Sequence, residues 1–158
     1  MQMLLLILMI LTAGKVAAAG IDGYVAAEID GKQLRPGVQA RDSWRQVAPS
    51  DYQYRLRAQC QCPLNGISTV YVIEGRVARV EDDAGRQRSL PDELQQTLTI
   101  PALHALIDRY AASQPDRMAW QLNRYLGYPE RIEIDPAYRI ADDEVRYSLD
   151  DFRILQKQ

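Results

Sequence analysis

The chain has 158 residues, the length of one domain. Hydrophobic residues make up 47% of it and charged residues 25%, a balance typical of a globular protein. The 19 basic and 21 acidic residues leave no positive surplus to neutralise a phosphate backbone, so the composition excludes a typical nucleic-acid-binding protein.

The first 19 residues have the pattern of a secretory signal peptide. An unbroken apolar run, Met3 to Leu11, is followed by small residues that end in Ala17-Ala18-Ala19, the kind of site at which such signals are cleaved. The run is too short for a transmembrane helix, which needs about 20 apolar residues. We therefore expect an exported protein, periplasmic or secreted, with no membrane span in its mature chain. No basic residue precedes the run, so an uncleaved anchor is the alternative.

Residues 20–49 are expected to lead into the main domain at 50–158. Tyr24–Ile29 and Lys32–Leu34 flank an Asp-Gly dipeptide, which favours a two-residue hairpin turn. The alternation on both sides of this dipeptide is poor, so a flexible lead-in fits the pattern equally well. Val38–Val47 has the apolar spacing of a short helix.

The most regular strand pattern precedes the two cysteines of the chain. Residues 52–59 alternate between apolar and polar side chains, and this period of two is typical of a strand with one buried face. The residues Ser68–Ile73 and Arg76–Val80 flank Glu74-Gly75, which predicts a hairpin.

One helix and three further strands are predicted after the hairpin. Thr99 is the expected N-cap, and the apolar residues from Leu103 to Ala111 recur at helical spacing. The later strands are predicted at Arg117–Leu122, Arg131–Asp135 and Glu144–Leu155, with a bend in the last at Asp150-Asp151. The expected fold is α+β: a single antiparallel meandering sheet of about five to six strands with one main helix packed on one face, in the order β-β-β-α-β-β-β.

Several motifs occur together between Trp44 and Phe152. A tyrosine-rich strand leads to C-x-C, a hairpin has the form V-x-V-x-x-G-x-V, and G-Y-P-x-x-I-x-I-D and D-D-E-V-x-Y follow. In this combination the chain resembles a family of small exported bacterial domains of unknown function. The resemblance implies an exported α+β domain and carries no activity, ligand or catalytic residue. The matching residues are Tyr52, Tyr54, Cys60, Cys62, Val70, Val72, Gly75, Val77, Gly127, Tyr128, Pro129, Ile132, Ile134, Asp135, Asp142, Glu144, Val145, Tyr147 and Phe152.

Cys60 and Cys62 are the first candidate site. Strand residues two positions apart have Cα atoms about 6.6 Å apart, near the upper limit for a disulfide, so a bridge requires a kink at Gln61. An oxidising compartment favours such a bridge, which would shape a local turn. Free or transiently paired thiols are one alternative. A redox pair or a metal site is another, because a small-ring disulfide is readily reduced and two thiolates supply half of a zinc site or bind Cu(I).

Four tyrosines are the second candidate site. Tyr52, Tyr54, Tyr71 and Tyr147 occupy alternate positions of predicted strands. Such residues usually belong to the core or to cross-strand pairs. On an open sheet face they form a binding platform instead, because tyrosine combines an apolar ring with a polar hydroxyl.

An acidic group, Asp135, Asp142, Asp143 and Glu144, is the weakest candidate. Its oxygen atoms suit Ca²⁺, but the spacing is not that of a calcium-binding loop. Aspartates that flank strands more often cap turns, so no metal or other cofactor is expected. The single histidine, His104, is predicted to be a partly exposed helix residue, and the chain has no G-x-S-x-G motif for a hydrolase nucleophile.

These observations favour an exported, non-enzymatic domain of unknown function. We expect it to bind a protein or another envelope component through the tyrosine-rich face of its sheet. The alternative is a thiol redox or metal-binding protein that uses Cys60 and Cys62.

Overall fold

The computed structural model describes residues 24–27, 40–137 and 139–157. The predicted signal peptide, residues 1–19, and the predicted strand Lys32–Leu34 lie outside the described residues. Within the described part of the chain, no helix has the length and apolar character needed to cross a membrane.

Seven strands and three helices make up the described fold. The predicted strands after residue 50 and the main helix agree with the observed bounds to within two residues, whereas α2 is an additional helix. The strands are β1 (Tyr24–Ala27), β2 (Tyr52–Gln59), β3 (Gly66–Ile73), β4 (Arg76–Asp82), β5 (Arg117–Leu122), β6 (Pro129–Asp135) and β7 (Val145–Lys157). The helices are α1 (Ala40–Val47), α2 (Asp92–Gln96) and α3 (Ile100–Ser113).

The strands form one antiparallel sheet, which confirms the α+β class. Its main path has the order β4-β3-β2-β7-β6-β5, and β1 pairs with β7. The predicted simple meander is wrong, because β2 lies beside β7 and β5 lies at the edge farthest from β4. The physical reason is the connection between β4 and β5, which carries α2 and α3 and is long enough to cross the sheet. Each half of the sheet is a three-stranded meander, and the β2–β7 pair joins the halves.

The short strand β1 extends the sheet along β7. Ile154 of β7 aligns with Tyr52 of β2 and also with Ala27 of β1. A strand residue can pair with one neighbouring strand on each side. Because β2 occupies one side of Ile154, β1 lies on the other side of β7, along the same edge that pairs with β6. β7 therefore has strand neighbours along both edges and forms the centre of the sheet together with β2.

The core lies between α3 and one face of the sheet. Tyr52, Tyr54, Leu56 and Ala58 are each at most 1% exposed, which confirms the predicted buried face of β2. The predicted helical stripe is confirmed for Leu103, Leu106, Ile107 and Tyr110, which are buried or packed against the core, whereas its last member, Ala111, is exposed. Thr99 is the N-cap as predicted, and its side chain accepts a hydrogen bond from the N–H of Ala102.

Strand β7 contains one extra residue, and as a result the side chains of Leu149 and Phe152 both face the core. The register between β2 and β7 shifts by one residue around Asp151, whose φ is 51°. This arrangement is a β-bulge. Leu149 and Phe152 both pack in the core, although strict alternation places residues three apart on opposite faces. The bulge is the structural form of the bend predicted at Asp150-Asp151.

Candidate functional site

Tyr52 and Tyr54 connect the central strand to the start of α3. The Tyr52 hydroxyl accepts a hydrogen bond of 2.8 Å from the N–H of Ile100, and the Tyr54 hydroxyl donates to the carbonyl of Leu98. The exposed fractions of the two tyrosines are 1% and 0%. The prediction that they belong to an exposed binding face is therefore wrong. The first turn of a helix leaves backbone N–H groups without a hydrogen-bond acceptor. The buried hydroxyl of Tyr52 supplies the acceptor for one of these groups, the N–H of Ile100.

An aromatic cluster accounts for the Gly-Tyr-Pro motif and the final phenylalanine. The rings of Tyr128 and Phe152 are stacked with their centres 4.5 Å apart. Phe152 also stacks on Tyr52 at 5.5 Å, and Trp44 meets both rings edge-on. These contacts hold β2, β7, α1 and the loop before β6 together, and aromatic pairs of this geometry add to the stabilisation from burial.

Tyr71 and Tyr147 do not form an exposed platform either. The Arg79 guanidinium lies 4.6 Å from the centre of the Tyr71 ring, and the Tyr71 hydroxyl donates to Glu81 at 3.0 Å, so that only 3% of Tyr71 is exposed. Tyr147 is half-buried against the core. Burial raises the pKa of its hydroxyl, and the neighbouring Tyr110 raises it further. The four predicted tyrosines thus share no exposed face.

The sulfur atoms of Cys60 and Cys62 are 1.98 Å apart, the distance of a disulfide bond. The Cα atoms are 5.2 Å apart, closer than in an extended strand, because β2 ends at Gln59 and the chain turns. Both cysteines are half-buried and pack against the core. Of the predicted alternatives for this pair, the geometry matches the bridge that shapes a local turn.

Arg88 holds the turn that follows the disulfide. Its guanidinium donates to the carbonyl of Pro63 and to the hydroxyl of Ser68, both at 2.6 Å. The N–H of Asn65 donates to the Cys62 carbonyl at 3.0 Å and closes the turn. A planar guanidinium has five donors in fixed directions, so this one side chain orients several acceptors and places a positive charge beside the disulfide loop.

A charged groove crosses the open face of the sheet, which is the face away from α3. The groove has a volume of about 620 Å³. Most of its lining residues occupy the alternate positions of the strands that do not face the core. The strand register places Ser148 of β7 between Arg57 of β2 and Arg131 of β6. We define the charged groove by Arg57, Arg131, Glu133, Asp135, Arg146 and Ser148.

One end of the charged groove is rich in arginine. Arg131 donates from Nε to Glu133 at 2.8 Å. Arg57 and Arg146 are exposed, and neither forms a salt bridge within the described part of the chain. Both guanidiniums are therefore available, next to the Ser148 hydroxyl, to donate to a carboxylate or another oxyanion.

The other end of the charged groove is acidic. Asp135 aligns with Arg117 of β5. Burial raises the pKa of the Asp135 carboxyl, and the negative charges of Asp143, Glu144 and Asp116 raise it further, against the opposing effect of Arg117. Several carboxylates thus lie close together at this end with Arg117 as the neighbouring cation, and this grouping of negative charge favours a cationic group there.

The predicted acidic metal ligands do not form a common ligand set. Asp142 is exposed in a turn with φ of 72°, apart from the groove side chains Asp135 and Glu144. Among the described residues, no group of three or more His, Cys, Asp or Glu side chains is arranged to hold a metal ion. His104 is 8% exposed, so the prediction that it is partly exposed is wrong. It lies on the buried side of α3 beside Leu103.

The sequence analysis did not identify the arginines of the charged groove or Ser148. These residues lie on three strands that are distant along the chain and become neighbours only through the β2–β7 and β6–β7 pairs. The available signal was the arginine at outward positions of three predicted strands, Arg57, Arg131 and Arg146. Without knowledge of the strand order, these arginines cannot be distinguished from ordinary charged surface residues.

Fold and site together define a small α+β domain with a buried aromatic core and a sheet face that carries an exposed charged groove among the described residues. The model of a family described as "Family of unknown function (DUF6174)" matches residues 38–154, and the chain belongs to this family. This confirms the predicted membership of a family of unknown function. Searches of the curated proteins and of the solved structures each found no match.

Proposed function

We propose that this protein is an exported binding domain and that its partner, a protein or another envelope component, binds in the charged groove. The observation that carries the proposal is the exposed pair Arg57 and Arg146, which lacks acidic partners in the described chain and lines a concave surface of about 620 Å³. Clefts with charged walls concentrate complementary ligands and speed their association. The proposed binding surface is thus the sheet face opposite to Tyr52, Tyr54 and Tyr147.

The side chains of the groove support binding rather than catalysis. Guanidinium, carboxylate and amide groups dominate its lining, and these groups are the usual means of partner recognition and electrostatic steering. The chain has one histidine, His104, which belongs to the buried side of α3, on the other face of the sheet. An imidazole base therefore does not reach the groove, whose charged side chains are carboxylates and guanidiniums.

Photo-crosslinking in the cells that produce the protein tests the binding surface. A crosslinking amino acid replaces Gln59 or Gln121, which are exposed in the groove, or Ala105 or Ala112, which are exposed on α3. We expect defined adducts from the two groove positions and none from the two helix positions. Adducts from α3 alone, or from neither surface, would overturn the proposal.

Export is tested by fractionation and intact mass. A cleaved signal predicts that the mature protein begins at Gly20 and is found in the periplasmic or external fraction. A full-length chain in the membrane fraction would support the uncleaved anchor, and a full-length chain in the cytoplasm would contradict export.

A thiol-redox function is the second candidate, because Cys60 and Cys62 are only half-buried and close a loop of three residues beside Arg88. A disulfide that is accessible and in a small loop exchanges with thiols more readily than a buried one. Equilibration of the protein with defined thiol buffers measures its reduction potential. A value above about −300 mV supports redox exchange, and a value well below it assigns the bond to structure alone.

A further inference from the structure

The two ends of the charged groove differ in sign, and the strand register fixes how they are arranged. Arg131, Glu133 and Asp135 are alternate residues of β6, so they share the open face in a row. Arg131 aligns with Ser148 of β7, and Glu133 aligns with Arg146. The groove therefore runs along β6 and β7 from an arginine-rich end to an acidic end.

The arginine-rich end has three guanidiniums around one hydroxyl. Arg57 and Arg131 flank Ser148 on its two neighbouring strands, and Arg146 lies two positions along β7. Glu133 forms its ion pair with Arg131, so Arg57 and Arg146 keep donors that no described carboxylate accepts. The surplus of donors at this end fits one carboxylate, because a guanidinium binds a carboxylate through two parallel hydrogen bonds.

The acidic end fits a cation. Asp135 and Glu144 line it, and Arg117 is the neighbouring basic residue, aligned with Asp135. Since Asp135 lies four residues from Arg131 on one strand, the two ends are separated by about 13 Å. An extended peptide covers the same distance in four residues and presents side chains four positions apart on one face.

We infer that the charged groove binds an extended polypeptide segment with an acidic side chain at the Ser148 end and a basic side chain four positions away at the Asp135 end. This inference rests on the proposed function, because it names the chemistry of the partner in the same groove. A polyanion is disfavoured, because its charges would meet Asp135 and Glu144. The arrangement selects a mixed-charge partner by repulsion as well as by attraction.

Peptide titrations test the inference directly. The probes are short labelled peptides in a Gly-Ser background that carry Glu and Lys four positions apart, two Glu, or two Lys at the same positions. Binding is followed through backbone amide signals of the isotope-labelled mature protein. We expect the Glu–Lys peptide to bind about fivefold more tightly than either like-charged peptide, with the largest shifts at Ser148 and Asp135. Equal affinities for the three peptides, or shifts outside the groove, would overturn the inference.

Charge-reversal variants provide the second arm. Asp135→Lys is expected to shift the preference toward the Glu–Glu peptide by about fivefold, and Arg146→Glu to shift it toward the Lys–Lys peptide. The matched controls are Glu93→Lys on α2 and Arg76→Glu on β4, which are exposed and make the same changes in net charge outside the groove. The controls are expected to keep the Glu–Lys preference. If they change it as much as the groove variants do, net charge is responsible and the inference fails.

The inference and the proposed function fail in distinguishable ways. Cellular adducts from Gln59 that persist unchanged in both Asp135→Lys and Arg146→Glu would leave the groove as the binding surface and refute the mixed-charge partner. The absence of groove adducts together with the absence of peptide binding would refute both.

Discussion

The hydroxyl of Tyr52 accepts a hydrogen bond of 2.8 Å from the backbone N–H of Ile100, the first residue of α3. The neighbouring inward tyrosine, Tyr54, donates to the carbonyl of Leu98 just before the helix. The strand at the centre of the sheet therefore binds both sides of the chain segment at which α3 begins. The face of the sheet that carries these tyrosines is closed by the helix, and the charged groove lies on the opposite face.

The Tyr52→Phe substitution is expected to lower the free energy of unfolding by about 1–3 kcal/mol, because it leaves the buried N–H of Ile100 without an acceptor. The matched control is Tyr125→Phe, since Tyr125 is 41% exposed. Urea unfolding of both variants measures the difference. Equal stabilities would show that the hydrogen bond to Ile100 contributes nothing.

Stability is expected to fall as the pH rises above about 10. Burial raises the pKa of the Tyr52 and Tyr54 hydroxyls above the ordinary tyrosine value of 10.0. Below that value both states keep the protons, and the full stability is present. Above it the unfolded chain loses protons that the folded chain retains, so each tyrosine lowers stability by about 1.4 kcal/mol per pH unit until the pH reaches its folded pKa.

The alkaline effect is measured by urea unfolding between about pH 9 and pH 11. Tyr52→Phe is expected to make the decrease shallower than in the wild type, even though the variant starts from a lower stability. A variant with an unchanged slope would contradict the assignment to Tyr52.

Reduction of Cys60–Cys62 is expected to cost little stability. The bond closes a loop of only three residues, for which the loss of chain entropy in the unfolded state amounts to roughly 1.6 kcal/mol. Urea unfolding with and without a reductant measures the change, and the Cys60→Ser/Cys62→Ser variant, which has no bond to reduce, is the control. Loss of cooperative unfolding on reduction would show that the bond holds more than its own turn.

Arg88→Met is expected to destabilise the protein by about 1–3 kcal/mol, since it leaves the fully buried Ser68 and the Pro63 carbonyl without their donor. It is also expected to speed the reduction of Cys60–Cys62 by opening the adjacent turn. Arg86→Met is the control, because the Arg86 side chain is 79% exposed and its ion pair with Asp82 is worth little. Equal effects of the two substitutions on stability and on the rate of reduction would refute this role of Arg88.

The bulge at Asp151 is expected to discriminate between substitutions by their backbone preference. Its φ of 51° is readily adopted by glycine and is unfavourable for a β-branched residue. Both Asp151→Gly and Asp151→Val remove the ion pair with Arg153, so their comparison isolates the backbone term. The valine variant is expected to be less stable than the glycine variant by about 1–2 kcal/mol in urea unfolding. A valine variant as stable as the glycine variant would show that the bulge is not required.

Sequence periodicity predicted the local elements well, because the signals are local. Alternation marked β2 and the start of β7, Thr99 marked the start of α3, and the aspartates at 150 and 151 marked the bulge. The helix α2 was missed because its five residues are too few for a helical period to show. It is held by Gln96, whose side-chain amide exchanges hydrogen bonds of 3.2 and 3.3 Å with the backbone of Val77, a contact between distant segments.

The predicted tyrosine platform was wrong because it also depends on a contact between distant segments of the chain. Alternation showed that Tyr52 and Tyr54 share a face with Leu56 and therefore belong together. Whether such a face is open or covered depends on where α3 packs. The hydrogen bond from Ile100 to Tyr52 shows that the helix covers it.

The sequence by itself determined the α+β class, the positions of most strands and the main helix, and the membership of a family of unknown function, because periodicity, caps and motifs are written in neighbouring residues. Only the tertiary structure decided the strand order. Pairing of β2 with β7 depends on the combined free energy of burial and loop closure over most of the chain, which no local pattern contains. That one pairing, with the neighbouring β6–β7 pair, brings Arg57, Arg131, Arg146 and Ser148 together, so the charged groove is a property of the fold rather than of any stretch of sequence.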